Sequence, residues 1–279
     1  KGYVTMQTIV GKYAEARIYA ELVEQDAVSQ IMGMLNQPFT EGSSIAIMPD
    51  VHSGKGCTIG TTMTIHDKIV PNLVGVDIGC GVLLTLIDEK GDMDEPELQK
   101  LDETIRAYIP SGFDVRDGHW SSSHTDGKSG PDFFGLTGFE ETELDELRCA
   151  KKVDLKRAKQ SIGSLGGGNH YIELDKDSQG RIWLAIHSGS RSLGTGTAAH
   201  YQELAVSQRK YEDYGSYNDM VAAIKEQYKD TPKMIGEKIK ELKSKATDVP
   251  EDLCWLDKSQ GPEYDDYIAD METVQRYAV

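Results

Sequence analysis

KIVPNLVGVDIGCGVLLTLI, residues 68–87, holds the pattern from which the fold is read. Its apolar runs, KIVPNLVGVDI and GVLLTLI, read as strands broken by Gly and Pro. The same pattern appears upstream in ARIYA (16–20), SIAIMPDV (44–51) and TIGTTMTI (58–65). Between the first two of these, Val23, Ala27, Ile31, Met34 and Leu35 recur at helical spacing. Asp94 caps a helix through DEPELQKLDETIRAYI, with Glu97 completing a capping box and Leu98, Leu101 and Ile105 facing inward.

Downstream, residues 110–135 are polar and rich in Gly, Ser and His, as functional or mobile loops are. The spacing of Leu144, Leu147, Leu155, Ala158 and Ile162 predicts helix over 140–162. Strands return at NHYIELD (169–175) and RIWLAIH (181–187), joined by a DSQG turn, and residues 196–279 read as almost wholly helical. Strands first and helices later give an α+β fold of mixed sheets with flanking helices. At 279 residues the chain can bury a substantial core, and a single domain over 1–279 is expected.

No stretch approaches the roughly 18 consecutive apolar residues of a membrane span. The opening KGYVTMQTIVGKY (1–13) has neither the apolar core nor the cleavage site of a signal peptide, and it does not begin with Met; a cytoplasmic protein is expected. The net charge of −16 argues against non-specific nucleic-acid binding, though not against a local basic or metal-bearing site. The four cysteines, Cys57, Cys80, Cys149 and Cys254, are scattered and form no disulfide framework.

Chemistry concentrates in four segments at the ends of strand-like runs: MPDVHSGKG (48–56), VGVDIGCG (74–81), GGGNHYIE (166–173) and IHSGSRSLG (186–194). In an extended strand Asp77 and Cys80 point to opposite faces; Gly79 and Gly81 let the chain turn so that both converge. A carboxylate beside a thiol suits Mn, Fe, Co or Zn, and the alternative is a buried thiol with an aspartate capping a turn. His170 and His187 sit at strand ends beside Gly, Asn, Ser and Arg, and could complete such a site. The glycine triplet offers backbone N–H groups to phosphate, and Arg191 could clamp one bidentately. Asp50, His52 and Lys55 read as second carboxylate, acid/base or phosphate contacts, or as solvated charges on a glycine-rich turn. His119 and His124 read as loop residues, His66 as exposed, His200 as a helix-face residue, and KKVDLKRAK (151–159) as a solvated basic helix face, the alternative being contact with backbone phosphates.

MPDVHSGKGCTIG, VGVDIGCG, GNH and HSGSR, in that order, resemble the RtcB family of RNA ligases. The resemblance implies glycine-rich strand-end loops forming a metal and nucleotide site. It implies an enzyme joining an RNA 3'-phosphate or 2',3'-cyclic phosphate end to a 5'-hydroxyl end, in tRNA splicing or RNA repair. GTP and two manganese ions serve as cofactors, through a histidine–guanylate intermediate. By the same resemblance Asp77 ligates one ion, Cys80 bridges two, and His170 and His187 take one each. Asn169, His170, Tyr171, Ile172 and Glu173 form the guanine-nucleotide segment, with Tyr171 where Phe is common, and Cys80, Arg191 and Asp50 match positions associated with activity. The family's further histidine ligand and its guanylate-accepting histidine match no position here, so the chain is expected to correspond to the N-terminal part of such a ligase. Alone it would hold an incomplete, inactive site. Two other readings stand beside this one: a metal-dependent phosphoesterase that needs no GTP, and an inactive module binding metal or RNA ends.

Overall fold

The computed structural model describes residues 7–54, 56–88, 91–116, 139–210, 217–244 and 249–278. The expected α+β class is observed, and the chain divides into two compact units: Lys1–Gly75 with Ala198–Tyr267, and Val76–Thr197 with Ile268–Val279.

In the first unit, β1 (Gln7–Val10), β2 (Glu15–Ile18), β3 (Ile45–His52) and β4 (Ile59–Met63) form one sheet in chain order. β2 and β3 run parallel, while the outer pairs are antiparallel. Parallel neighbours need a crossover, and α1 (Gln25–Leu35) supplies it, burying Ala27, Ile31, Met34 and Leu35 as the periodicity predicts. Ile31, Met34 and Leu35 meet Ile18, Ile47, Phe39 and Trp255 in the unit's core.

The run KIVPNLVGVDI departs from its reading as a strand. Only Lys68–Ile69 (β5) is extended, paired with β9 (Leu256–Asp257), and Pro71–Val74 (α2) is a single helical turn. Pro71 sits at its first position, where a fixed φ and a missing N–H favour a helix start, and Gly75 at φ 104° ends it.

The second unit is built on a three-stranded antiparallel sheet, β6 (Gly81–Asp88), β8 (Ile182–Ser188) and β7 (Tyr171–Lys176), with β8 in the middle. α3 (Glu95–Tyr108) carries the expected Asp94–Glu97 capping box. Its apolar stripe is not buried, however, and Leu98 is 40% exposed. Residues 140–162 are not one helix: 3₁₀ turns at Glu141–Glu146 and Ala150–Lys152 precede α4 (Leu155–Ser161), which Asp154 caps. The break has a tertiary cause, because the buried Asp270 carboxylate takes the backbone N–H groups of Arg148 and Cys149. Leu144, Leu147 and Ala158 are buried as expected. Beyond β8 come α5 (Arg191–Lys210), α6 (Tyr217–Gln227), α7 (Pro232–Ser244) and α8 (Glu263–Ala278), close to the helical C-terminal third that was read. Among the described residues no helix is long and apolar enough to cross a membrane. Among the described residues β6 is an edge strand, and its Val82, Leu83, Leu84, Leu86 and Ile87 are exposed.

Candidate metal centre

In an antiparallel sheet the start of one strand lies beside the end of its neighbour. β6 begins, β8 ends and β7 begins at the same edge of the second unit's sheet, with Gly81 opposite Ser188, and Val82 and Tyr171 both opposite His187. Cys80 immediately precedes β6 and His170 immediately precedes β7, so the topology itself gathers Cys80, His170 and His187. Asp77 joins them through a turn in which the Cys80 N–H donates to the Asp77 carbonyl (3.0 Å). Gly79 makes that turn possible at φ 80°, a region that favours glycine.

The donor atoms are close. Cys80 Sγ lies 3.1 Å from His187 Nε2 and 4.0 Å from His170 Nε2, and the three fall within 4.8 Å of one another. His170 Nε2 is in turn 3.0 Å from Asp77 Oδ2. A metal held at 2.0–2.3 Å by N, O and S donors in tetrahedral geometry spaces its ligands by roughly 3.3–3.8 Å, the range these separations straddle. The tautomers point the same way. His170 Nδ1 is 3.1 Å from the Leu165 carbonyl, which can only accept, so Nδ1 carries the proton. In the neutral ring Nε2 is then an acceptor facing a carboxylate oxygen, a pair that needs a positive charge between its members, whether a proton or a metal cation. The mixed thiolate, imidazole and carboxylate set fits a first-row divalent ion and does not discriminate sharply among manganese, iron, cobalt and zinc.

Burial first, and the Asp77 carboxylate second, push the Cys80 thiol above its ordinary range. A bound cation reverses that logic and stabilises the thiolate. The other described cysteines, Cys57, Cys149 and Cys254, are buried and free; burial pushes the Cys149 and Cys254 thiols up to about 12.

Glycines around the centre serve by leaving room. A Cβ on Gly189 would stand 2.4 Å from Asp77 Oδ1, and one on Gly166 would fall on Arg191 Nη1 and within 2.7 Å of His170 Nδ1. Through the Gly166 notch Arg191 reaches the Gly112 carbonyl (Nη2–O 2.9 Å). Arg191 is held at φ 57°, a left-handed backbone costing of order 1–3 kcal/mol in a non-glycine residue and characteristic of functional sites. Its Nε is buried without a hydrogen-bond partner among the described residues. Burial lowers its guanidinium pKa, opposed by the Tyr277 and Asp77 charges.

The family whose description is tRNA-splicing ligase RtcB matches residues 30–279. The chain belongs to the RtcB family. It is 35% identical over 194 residues to the RNA-splicing ligase RtcB of Escherichia coli (strain K12), covering 66% of this chain and 45% of that protein. It is 27% identical over 235 residues to the tRNA-splicing ligase RtcB of Thermococcus kodakarensis, 73% of this chain and 48% of the relative. With the tRNA-splicing ligase RtcB of Archaeoglobus fulgidus it shares 27% over 248 residues, 77% and 51% respectively. The chain thus spans about half the length of the curated RtcB relatives it matches.

Within the RtcB-like motifs, Asp77, Cys80, His170, His187 and Arg191 all lie in the second unit. Asn169 is exposed at the same sheet edge. The Tyr171 ring packs edge-on to His187 at 5.2 Å between centroids, and Glu173 is exposed two residues on along the same face. Ile172 points to the opposite face, where Ile109, Leu165, Ile186, Arg191 and Tyr277 help to line an apolar cavity of about 190 Å³. Asp50 and His52 lie on β3 of the first unit, both exposed; there the Gln30 amide grips Gly54, donating to its carbonyl (2.7 Å) and accepting from its N–H (3.0 Å). Lys55, His119 and His124 lie outside the described residues. His66 is exposed as expected, and His200 rests against Tyr201 on α5. The basic run 151–159 is only partly helical, and its Lys159 pairs with Asp145 (2.8 Å). Sequence reasoning passed over Ser190. Its N–H and Oγ both donate to Asp77 Oδ1, at 2.9 and 3.2 Å, and the only signal for it was its place between Gly189 and Arg191.

Proposed function

We propose that this chain supplies the metal-holding part of an RNA ligase that joins an RNA 3'-phosphate or 2',3'-cyclic phosphate end to a 5'-hydroxyl end, using GTP and manganese. The convergence of Asp77, Cys80, His170 and His187 at one sheet edge, in a member of the RtcB family, is the observation that carries the reading. In this reading residues 1–279 act as one RtcB-like domain of a cytoplasmic enzyme of tRNA splicing or RNA repair.

Manganese held by these four residues supplies Lewis-acid charge to phosphate oxygens and to an attacking hydroxyl. The protein's own side chains do the rest. Cys80, within 4.0 Å of both imidazoles, would supply the anion that offsets repulsion were two cations held there. Arg191 presents its fixed guanidinium fork to a phosphate, while its anchorage on Gly112 limits its freedom. Asn169, Tyr171 and Glu173 flank the centre as nucleotide contacts, and Asp50 keeps the activity-linked role that its motif position implies. Guanylate transfer to a histidine belongs to the same proposal for the assembled enzyme.

The test begins with manganese titration of the chain, followed by incubation with GTP and RNA fragments bearing cyclic-phosphate and 5'-hydroxyl ends. Manganese binding, together with retention of those ends in preference to 3'-hydroxyl and 5'-phosphate ends, is the expected result, joining being expected of the assembled enzyme. Phosphate release without GTP would replace this reading with the phosphoesterase, and failure to bind manganese would remove its foundation.

A further inference from the structure

The two oxygens of Asp77 are not equivalent. Oδ1 accepts twice from Ser190, from its backbone N–H at 2.9 Å and from its Oγ–H at 3.2 Å. Oδ2 faces His170 Nε2 at 3.0 Å. Ser190 is completely buried. One helical turn on, a Cβ at Gly194 would stand 1.8 Å from Ser190 Oγ, so glycine there makes the space the hydroxyl fills. Before it, Gly189 leaves the Asp77 carboxylate its room, and after it Arg191 takes the left-handed φ of 57° from which α5 begins. A serine ahead of a helix commonly turns its oxygen back to the first-turn N–H groups. Here the hydroxyl is committed instead to a carboxylate far away in sequence.

We infer that Ser190 is a positioning residue of the metal centre: by saturating Oδ1 of Asp77 it fixes the carboxylate plane and leaves Oδ2 as the single ligating oxygen. The inference rests on the proposal that Asp77, Cys80, His170 and His187 hold a cation. A carboxylate with both oxygens free can swing or bind a cation through both. One with Oδ1 doubly bonded to a buried, immobile donor offers one oxygen in one direction. Hydrogen-bonding partners of metal ligands of this kind tune affinity by 10–100-fold.

Cobalt(II) is the probe, because its d–d absorption reports coordination geometry and its thiolate charge-transfer band reports Cys80 separately. Ser190→Ala keeps the backbone N–H bond and loses the hydroxyl. The expected result is a roughly 10–100-fold weaker apparent affinity and an altered d–d band, with the charge-transfer band retained and the circular dichroism of the wild type. Ser161→Ala serves as the comparison: its buried hydroxyl donates to the Arg157 carbonyl rather than to a carboxylate, and it should leave the d–d band in place. Unchanged affinity and d–d band in a folded Ser190→Ala overturn the inference. If that variant does not fold, a cobalt-minus-apo infrared difference spectrum of the wild type, compared with that of Asp77→Asn, decides. The splitting of a monodentate carboxylate supports the assignment and that of a bidentate one overturns it. A wild type that binds no cobalt or manganese refutes the underlying metal reading, whereas a wild type that binds with a bidentate Asp77 refutes the positioning role alone.

Discussion

Gly189→Ala adds one methyl group where the structure has least room for it. Its Cβ would stand 2.4 Å from Asp77 Oδ1, 2.5 Å from Oδ2 and 2.7 Å from Cγ, meeting the whole carboxylate, whereas ordinary contact begins near 3.4 Å. The carboxylate must therefore retreat by about 1 Å, or the Gly189 backbone must, which breaks the same contacts. That distance is several times the ±0.2 Å within which metal–ligand bonds are held. It also carries Oδ1 out of reach of the Ser190 donors, now at 2.9 and 3.2 Å. Loss of one ligand's geometry predicts an apparent affinity for manganese or cobalt about 100-fold weaker, about 2.8 kcal/mol. The fold should pay about 1–3 kcal/mol for overpacking. Gly189 is not among the left-handed glycines, so alanine is admissible to its backbone and the effect is steric. Gly180→Ala is the matched control. Its φ of 83° makes alanine strained, yet the nearest atom to its Cβ is Lys176 Cε at 3.8 Å, at the far end of the sheet. It should lower stability and leave metal affinity alone. Isothermal titration with thermal denaturation of the two variants separates the effects, and wild-type affinity in a folded Gly189→Ala would falsify the argument.

Three further outcomes are expected. Cys80→Ala, which removes the donor lying between both histidines, should abolish measurable manganese binding, and His187→Ala should weaken it with circular dichroism unchanged; equal manganese content in wild type and Cys80→Ala counts against the bridging role. Asp270→Ala leaves the N–H groups of Arg148 and Cys149 without their acceptor, and should cost about 1–3 kcal/mol for each orphaned donor in urea denaturation. Burial alone would raise the Asp177 pKa, but hydrogen bonds from Trp183 Nε1, Arg181 and Gln179 together hold it well below the usual carboxylate range. A lowered folded pKa contributes stability that is complete above the unfolded value near 4 and is lost as pH falls through the folded one. The difference in melting temperature between wild type and Asp177→Asn should accordingly shrink on acidification, and a constant difference would rule this out.

The strands that carry ligands were legible because each is a local apolar run ended by glycine, and the Asp94–Glu97 capping box because it spans four residues. Pro71 and Gly75 explain locally why 68–78 is not one strand, but over 140–162 the cause of the difference is distant in sequence. A helix across 140–162 satisfies local periodicity, yet Asp270, more than a hundred residues away, takes the N–H groups that such a helix would use. Leu98 sits on a correct helix face that is left 40% exposed. The metal-ligand candidates stood out as rare residue types beside glycines. Ser190 did not, because serine is common and its bond to Asp77 crosses 113 positions that no spacing rule connects. Gly166 reads as part of a triplet offering backbone N–H groups and Gly189 only as a neighbour of His187, whereas the structure values both for vacant volume.

β6 delivers Cys80 to the centre, and it also shapes how the polypeptide behaves in a test tube. An edge without a partner strand among the described residues, with Leu84 57% exposed beside Val82, Leu83, Leu86 and Ile87, is a template onto which other chains add, and Thr85 within that run is a feeble gatekeeper. Concentrated samples should scatter light increasingly on standing. A lysine at position 84 would blunt the edge while leaving the Cys80 turn intact, giving a better-behaved reagent for every titration described above.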